Sequence, residues 1–202
     1  MVANKIVDQC EYQRLNQSFQ TDYHHGKLDY DRYLKFALHP LTRHSLNALY
    51  AWRRDYVENW IKPIIANDTP ALLNQHRQQH DTLIIISATH FFITEPIAQL
   101  LGVPYLLATM PEKINNRYTG NYLGVPTFRE GKVTVLNAWL EQQGHNLDDS
   151  YFYSDSVNDL PLLEQVAHPV AVNPDASLSE IAAQRQWPII DLRNRVSSQL
   201  KN

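Results

Sequence analysis

From Thr82 onward the chain repeats one arrangement: short apolar runs separated by intervals of helix length. The runs are Leu83-Ile84-Ile85-Ile86, Tyr105-Leu106-Leu107-Ala108, Tyr151-Phe152-Tyr153, Val170-Ala171-Val172 and Pro188-Ile189-Ile190. None is long enough to be an independent helix, so each reads as a strand. Strands that alternate with helices imply a parallel sheet and an α/β fold. One stretch breaks the alternation. Arg117 to Phe128, containing Tyr118-Thr119-Gly120-Asn121-Tyr122-Leu123-Gly124, has the aromatic alternation and turn glycines of a hairpin.

Residues 1 to about 80 have a different texture. Apolar and aromatic residues recur at three and four positions, as in Tyr33, Phe36, Ala37, then Leu46, Leu49, Tyr50, and Trp52, Tyr56, Trp60, Ile64. This spacing predicts three or more helices, punctuated by Gly26 and Pro40, with Pro63 kinking the third or marking its last turns. The chain therefore divides into a helical unit over 1–80 and an α/β unit over 81–202.

Bulk properties narrow the function classes. At 202 residues, with 44% apolar and 19% charged residues, the chain can bury a substantial core as one or two domains. A net charge of −3 without a basic run lacks the electrostatic footprint of a nucleic-acid binder. Cys10 is the only cysteine, which excludes an internal disulfide and a multi-cysteine metal cage and makes the cytoplasm the expected location. No apolar run is long enough to span a bilayer.

In a parallel α/β sheet, catalytic groups sit on loops at the carboxyl ends of strands. Two strands supply such groups. Ile84-Ile85-Ile86 runs into Ser87-Ala88-Thr89-His90, where a hydroxyl and the amides opening the next helix could bind phosphate oxygens; a helix cap by Ser87 or Thr89 is the alternative. Tyr151-Phe152-Tyr153 runs into Ser154-Asp155-Ser156-Val157-Asn158-Asp159. Two carboxylates four residues apart, with an amide between them, exceed the needs of one turn and suit a hard cation such as magnesium. Between these loops, Glu130-Gly131-Lys132 opens a helix. A lysine in the first turn opposes the helix dipole, so Lys132 either points into solvent or is held there to meet an anion.

This ordered set resembles the haloacid dehalogenase superfamily, and within it the subfamily IB hydrolases that include phosphoserine phosphatases. Ile84 to Thr94 is similar to the second family motif, Arg117 to Lys132 to the stretch ending in the third, and Tyr153 to Leu163 to the fourth. The resemblance implies a Rossmann-like core of three α/β/α layers with a helical cap, here over residues 1–80. It also implies magnesium-assisted phosphoryl transfer through an aspartyl-phosphate, with a small phosphorylated metabolite as substrate. By the same resemblance Ser87 and Ala88 would bind the transferring phosphoryl group, and Lys132 would neutralise it and orient the nucleophile. Asp155 would ligate Mg2+, while Asn158 and Asp159 would position phosphate and the metal's outer shell.

The family's first motif, Asp-x-Asp-x-Thr after an apolar strand, has no counterpart. Asp29-Tyr30-Asp31 follows His24-His25-Gly26-Lys27 rather than a strand, has Tyr33 where Thr is required, and reads instead as a helix start capped by Asp29. The chain is thus expected to begin inside the cap, short of the first strand and its loop by on the order of 20 residues. The sheet is expected to carry a gap between the strands bearing Ser87 and Asp155, with poor stability as the consequence.

Among the remaining candidates, His76 and His80 read as a solvated helix surface rather than a metal site. Trp52, Tyr56 and Trp60 read as a packing stripe. Arg43, Arg53 and Arg54 could meet an anionic part of a substrate, and His90 could line the site or pack behind it. Two functions follow: a phosphomonoester hydrolase without its nucleophile in this chain, or a non-catalytic phosphate-binding or interaction protein on the same scaffold.

Overall fold

The computed structural model describes residues 9–24 and 26–193. Four helices come first: α1 (Gln9–His24), α2 (Tyr30–Thr42), α3 (Leu46–Tyr56) and α4 (Thr69–Gln78). Their starts are written in the sequence. Asp29 caps α2 by accepting the Arg32 amide at 3.0 Å, as its position predicts, and Ser45 caps α3 by accepting the Ala48 amide at 3.4 Å. A side-chain oxygen at each position satisfies an amide that the first turn leaves without a partner.

The aromatic stripe does not pack along its whole length. Trp52 lies against a buried cluster, but Tyr56 is 39% and Trp60 60% exposed. The reason is local. After α3 the backbone widens into a π-helical turn over Val57–Ile61, then tightens over Lys62–Ile64, where Pro63 ends the run. The wider turn rotates the following side chains, so Val57 is buried while Trp60 and Ile64 turn outward.

The second part alternates as expected: β1 (Ile84–Ser87), α5 (Phe91–Leu101), β2 (Tyr105–Ala108), β3 (Met110–Ile114), β4 (Arg117–Leu123), α6 (Glu130–Gln143), β5 (Tyr151–Ser154), α7 (Leu160–Leu163), β6 (His168–Val172), α8 (Ala176–Gln184) and β7 (Ile189–Ile190). All five predicted strands are present. The hairpin is β3–β4, and its turn is Asn115-Asn116, both with positive φ (50° and 59°), rather than a glycine turn inside 117–128. It packs on α2: Tyr118 joins Leu38, Leu41, Leu49 and Phe92 in one buried cluster, and the Tyr122 hydroxyl donates to Asp31 at 3.0 Å.

The parallel strands form two separate sheets. β1 pairs with β2 from Ile84↔Tyr105 to Ser87↔Ala108, and β6 lies between β5 and β7. No described strand bridges β1 and β5. Between them lies a cavity of about 550 Å³, lined by Ile84, Ile85 and Ile86 on one side and Tyr151, Phe152 and Tyr153 on the other. All four residues of β1 are only half-buried, although an isoleucine run of this kind belongs in a sheet interior. Among the described residues this cavity separates β1 from β5.

Two side chains join the helical part to the α/β part differently from expectation. His76 is not solvated: it is 6% exposed, with Nδ1 2.7 Å from Asp81 Oδ2 and Nε2 2.7 Å from the Tyr153 hydroxyl, tying α4 to β5. Arg53 does not face a substrate. Its guanidinium donates to Glu95 Oε2 at 2.7 Å and to the Phe92 carbonyl at 3.1 Å, clamping α3 to α5. Among the described residues no helix is long and apolar enough to cross a membrane.

Candidate active site

The carboxyl ends of β1 and β5 open on a second cavity, of about 530 Å³. Ser87, Ala88 and Thr89 form one wall, Ser154, Asp155 and Asp159 the opposite one, and Lys132 lies between them. Five predicted residues, Ser87, Ala88, Lys132, Asp155 and Asp159, therefore meet around one space.

Ser87 caps no helix. The N-cap of α5 is His90, without a side-chain bond, and the first helical amide, Phe91 N–H, donates to the Thr109 carbonyl at 2.9 Å. Ser87 Oγ instead accepts the Thr89 amide at 3.1 Å, holding residues 87–89 as a turn along the cavity wall. From the helical part, the Tyr30 hydroxyl donates to the Ala88 carbonyl and lies 3.4 Å from Thr109 Oγ1; burial pushes the Tyr30 phenol well above its ordinary pKa, so it stays a donor.

Lys132 is buried, in the first turn of α6. The approach requires Gly131, because a Cβ there would stand 1.9 Å from the Pro126 carbonyl oxygen. Lys132 Nζ lies 2.6 Å from Asp159 Oδ1, and Ser154 Oγ donates to Asp159 Oδ2 at 2.7 Å. Both oxygens of Asp159 are thus engaged, and the lysine is held against the helix dipole by a buried carboxylate.

Asp155 differs: its side chain is exposed at the cavity and takes no hydrogen bond from a described residue, while its backbone carbonyl accepts the Asp175 amide at 2.8 Å. Asp175 also accepts the amides of Val157 (2.9 Å) and Leu178 (2.8 Å), so the loop carrying Asp155 is pinned to the start of α8. Asn158 does not reach the cavity wall. It is 3% exposed, and its amide donates to the Tyr23 carbonyl at 3.2 Å and accepts from Arg129 Nε at 3.0 Å.

Arg129 was not singled out by the sequence. Its backbone sits at φ 49°, ψ −121°, and its guanidinium joins Asn158 to the Gly26 carbonyl between α1 and α2. With Tyr23, whose hydroxyl donates to Ser156 Oγ at 3.0 Å, it fastens the helical part to the Asp155 loop. The signals were an arginine three residues before Lys132 and, for Asp175, a polar loop directly after an apolar strand. His90 does not line the cavity; it is buried against Phe92, and burial lowers its pKa to about 4.

Among the described residues no group of three His, Cys, Asp or Glu side chains is placed to hold a metal. The donor set nevertheless suits magnesium, which keeps several waters and takes one or two carboxylates plus phosphate oxygens. Among the described residues lining this cavity, Asp155 offers the one carboxylate that takes no hydrogen bond or ion pair.

A family model described as haloacid dehalogenase-like hydrolase matches residues 3–164. The chain belongs to this family. Within it, the chain is 41% identical over 197 residues to a histidinol-phosphatase of Neisseria meningitidis, covering 96% of this chain and 89% of that one. It is 30% identical over 192 residues to phosphoserine phosphatase SerB1 of Mycobacterium tuberculosis, of whose length it spans 60%. A solved structure of a Bordetella pertussis protein of unknown function superposes with a TM-score of 0.84 at 42% identity, over 92% of this chain and 84% of that one. A substrate-bound phosphoserine phosphatase shares the fold at a TM-score of 0.67 and 19% identity, over 95% of this chain and 84% of that one. The α/β fold with parallel sheets is that of the haloacid dehalogenase-like hydrolases.

Proposed function

We propose that this chain carries the phosphate-binding and metal-binding half of a magnesium-dependent phosphomonoester hydrolase. The observation that carries the reading is the convergence of Ser87, Lys132, Asp155 and Asp159 on one cavity at the carboxyl ends of β1 and β5. Phosphoryl transfer depends on positioning and on countering negative charge, and these residues supply both. Ser87 Oγ and the backbone at Ala88 hold phosphoryl oxygens. Lys132, kept in place by Asp159, neutralises them, and Asn158 acts from behind by fixing the loop. Asp155 holds Mg2+, which when bound supplies further countercharge to the phosphoryl oxygens.

In the full reaction a carboxylate oxygen bonds to phosphorus as the ester P–O bond breaks. The alcohol leaves with a proton, and water then cleaves the acyl phosphate to inorganic phosphate. Among the described residues, neither carboxylate at this cavity is free for that role in this reading: Asp159 is bound to Lys132 and Ser154, and Asp155 would hold the metal. The substrate class is a small phosphorylated metabolite; the names of the two relatives above favour the phosphate ester of a small amino-bearing alcohol.

The test uses p-nitrophenyl phosphate with magnesium. The 202-residue chain should show negligible turnover. The same chain extended at its amino terminus by an apolar strand and Asp-x-Asp-x-Thr should hydrolyse the ester, and Lys132→Ala or Asp155→Asn in that form should lose about a hundredfold or more. A folded, inactive extended chain would remove the hydrolase reading. Inorganic phosphate binding by such a chain would leave the non-catalytic reading. Turnover by the 202-residue chain that is lost on Asp29→Asn would move the nucleophile to the Asp29-Tyr30-Asp31 pair.

A further inference from the structure

We propose that the cavity where the α2–α3 connection meets the turn of the β3–β4 hairpin binds a small, multiply charged oxyanion, at a site separate from the phosphate cavity. It measures about 400 Å³ and is lined by Arg43, His44, Ser45 and Asn47 on one side and by Asn116 and Arg117 on the other. No aspartate or glutamate lines it. Helix α2 sets its distance from the first site. Tyr30, at the start of the helix, bonds the Ala88 carbonyl, whereas Thr42, at its end, lines this second cavity. The 13 residues of α2, at ~1.5 Å each, put roughly 20 Å between the two. No residue lines both.

The two arginines define the ligand. Arg53, Arg77, Arg129 and Arg185 each give their guanidinium to a carboxylate, carbonyl or amide oxygen of the chain. The side chains of Arg43 and Arg117 meet no such oxygen among the described residues, although both line one cavity. Like charges around one space repel, and an anion between them replaces that repulsion with charge-assisted hydrogen bonds. A guanidinium fork matches the paired oxygens of a phosphate or a carboxylate. The backbone on both sides is already fixed. The Arg43 amide donates to the Pro40 carbonyl at 3.3 Å, Ser45 caps α3, and Asn115 and Asn116 hold φ of 50° and 59° in the turn that delivers Arg117. Binding therefore orders side chains and little else. Neutral donors stand beside the charges. His44 leans edge-on against Trp52, at 4.9 Å and 80°, with Nε2 buried and unbonded, so Nδ1 is the ring nitrogen left to the cavity. An anion held by both arginines also ties the end of α2 to the hairpin. None of this depends on the proposed hydrolase activity.

The probes are inorganic phosphate and succinate, each titrated at constant ionic strength into the isotope-labelled 202-residue chain and followed by amide NMR. Saturable shifts are expected at His44 to Asn47 and at Asn116 and Arg117, with a Kd of about 1 mM or tighter. Shifts at Ser87 to Thr89 report the phosphate cavity and are read separately. Arg43→Gln and Arg117→Gln should each weaken binding about tenfold, and the double variant should abolish it while leaving the response at Ser87 to Thr89 unchanged. Both arginines are exposed, so the variants should fold, which the remaining resonances report. Binding of phosphate alone assigns a phosphoryl-bearing ligand and binding of succinate alone a carboxylate-bearing one; either supports the site. Absence of saturable shifts with both probes at about ten times that concentration would overturn the proposal. So would unchanged affinity in the double variant, or equal shifts on adding sodium chloride alone, which would reduce the two arginines to a screened surface charge.

Discussion

The Lys132–Asp159 pair makes the sharpest claim about energetics. At 2.6 Å, with side-chain exposures of 7% and 11%, the two charges attract by about 6 kcal/mol at an effective dielectric near 20. Removing both ions from water offsets most of that gain, so the intact pair contributes little net stability. An orphaned partner is another matter. Lys132→Met leaves Asp159 buried with only the Ser154 hydroxyl, and Asp159→Leu leaves a buried ammonium; each should destabilise by about 3–5 kcal/mol. For a chain of this size that lowers the melting temperature by roughly 6–20 °C. The double variant Lys132→Met/Asp159→Leu removes both charges, so it should recover much of the loss despite the larger leucine. The assay is urea unfolding followed by circular dichroism at pH 7, with all three variants and the parent in one cycle. A single variant within about 0.5 kcal/mol of the parent, or a double variant as unstable as the sum of the singles, would show that the pair is not the closed, desolvated unit argued for above.

Four further outcomes are expected. Gly131→Ala places a methyl group 1.9 Å from the Pro126 carbonyl oxygen, so it should cost at least about 2 kcal/mol in denaturant unfolding, whereas Gly144→Ala, with nothing within 4 Å, should cost only its positive-φ strain. His90 is buried neutral with its pKa lowered to about 4 from 6.5, so the unfolded chain binds the proton first. Stability contributed by this histidine should be complete above pH 6.5 and fall by up to about 3 kcal/mol as pH drops through about 4, a slope that His90→Gln removes in a pH series of melting temperatures. Arg129→Gly and Arg129→Ala both lose the guanidinium bridge, but only glycine relieves φ 49°, so the glycine variant should melt higher, by the equivalent of about 1 kcal/mol. The 202-residue chain should unfold over a broad, low-temperature transition, and a sharp cooperative melt as a monomer would argue that the gap between β1 and β5 is closed in solution.

The strands were legible because their signal is local: three or four consecutive apolar residues between helix-length intervals leave few other assignments. The cap at Asp29 was equally local, set by one side chain and an amide three residues on. The hairpin turn falls before the glycines of 117–128 because Asn115 and Asn116 supply the positive φ that the turn needs. Trp60 was misread because a π-turn changes the phase of a stripe without changing its spacing in sequence. His76 and Arg129 could not be read at all from their neighbours. The first is buried by Tyr153, 77 residues away, and the second bridges Gly26 and Asn158, 103 and 29 residues away. Ser87, Lys132 and Asp155 line one cavity because each follows a strand or opens a helix, positions that an α/β topology brings together.

The phosphate cavity and the apolar cavity between β1 and β5 are one arrangement. Ile86, Phe152 and Tyr153 line both, so the two share a wall. The turn at Ser87 and the loop at Asp155 begin where these strands end, and their positions depend on how the side chains of the apolar cavity pack. A change of volume at Ile86 or Phe152 is therefore felt on both sides of that wall, in stability through the apolar cavity and in phosphate binding through the turn and the loop.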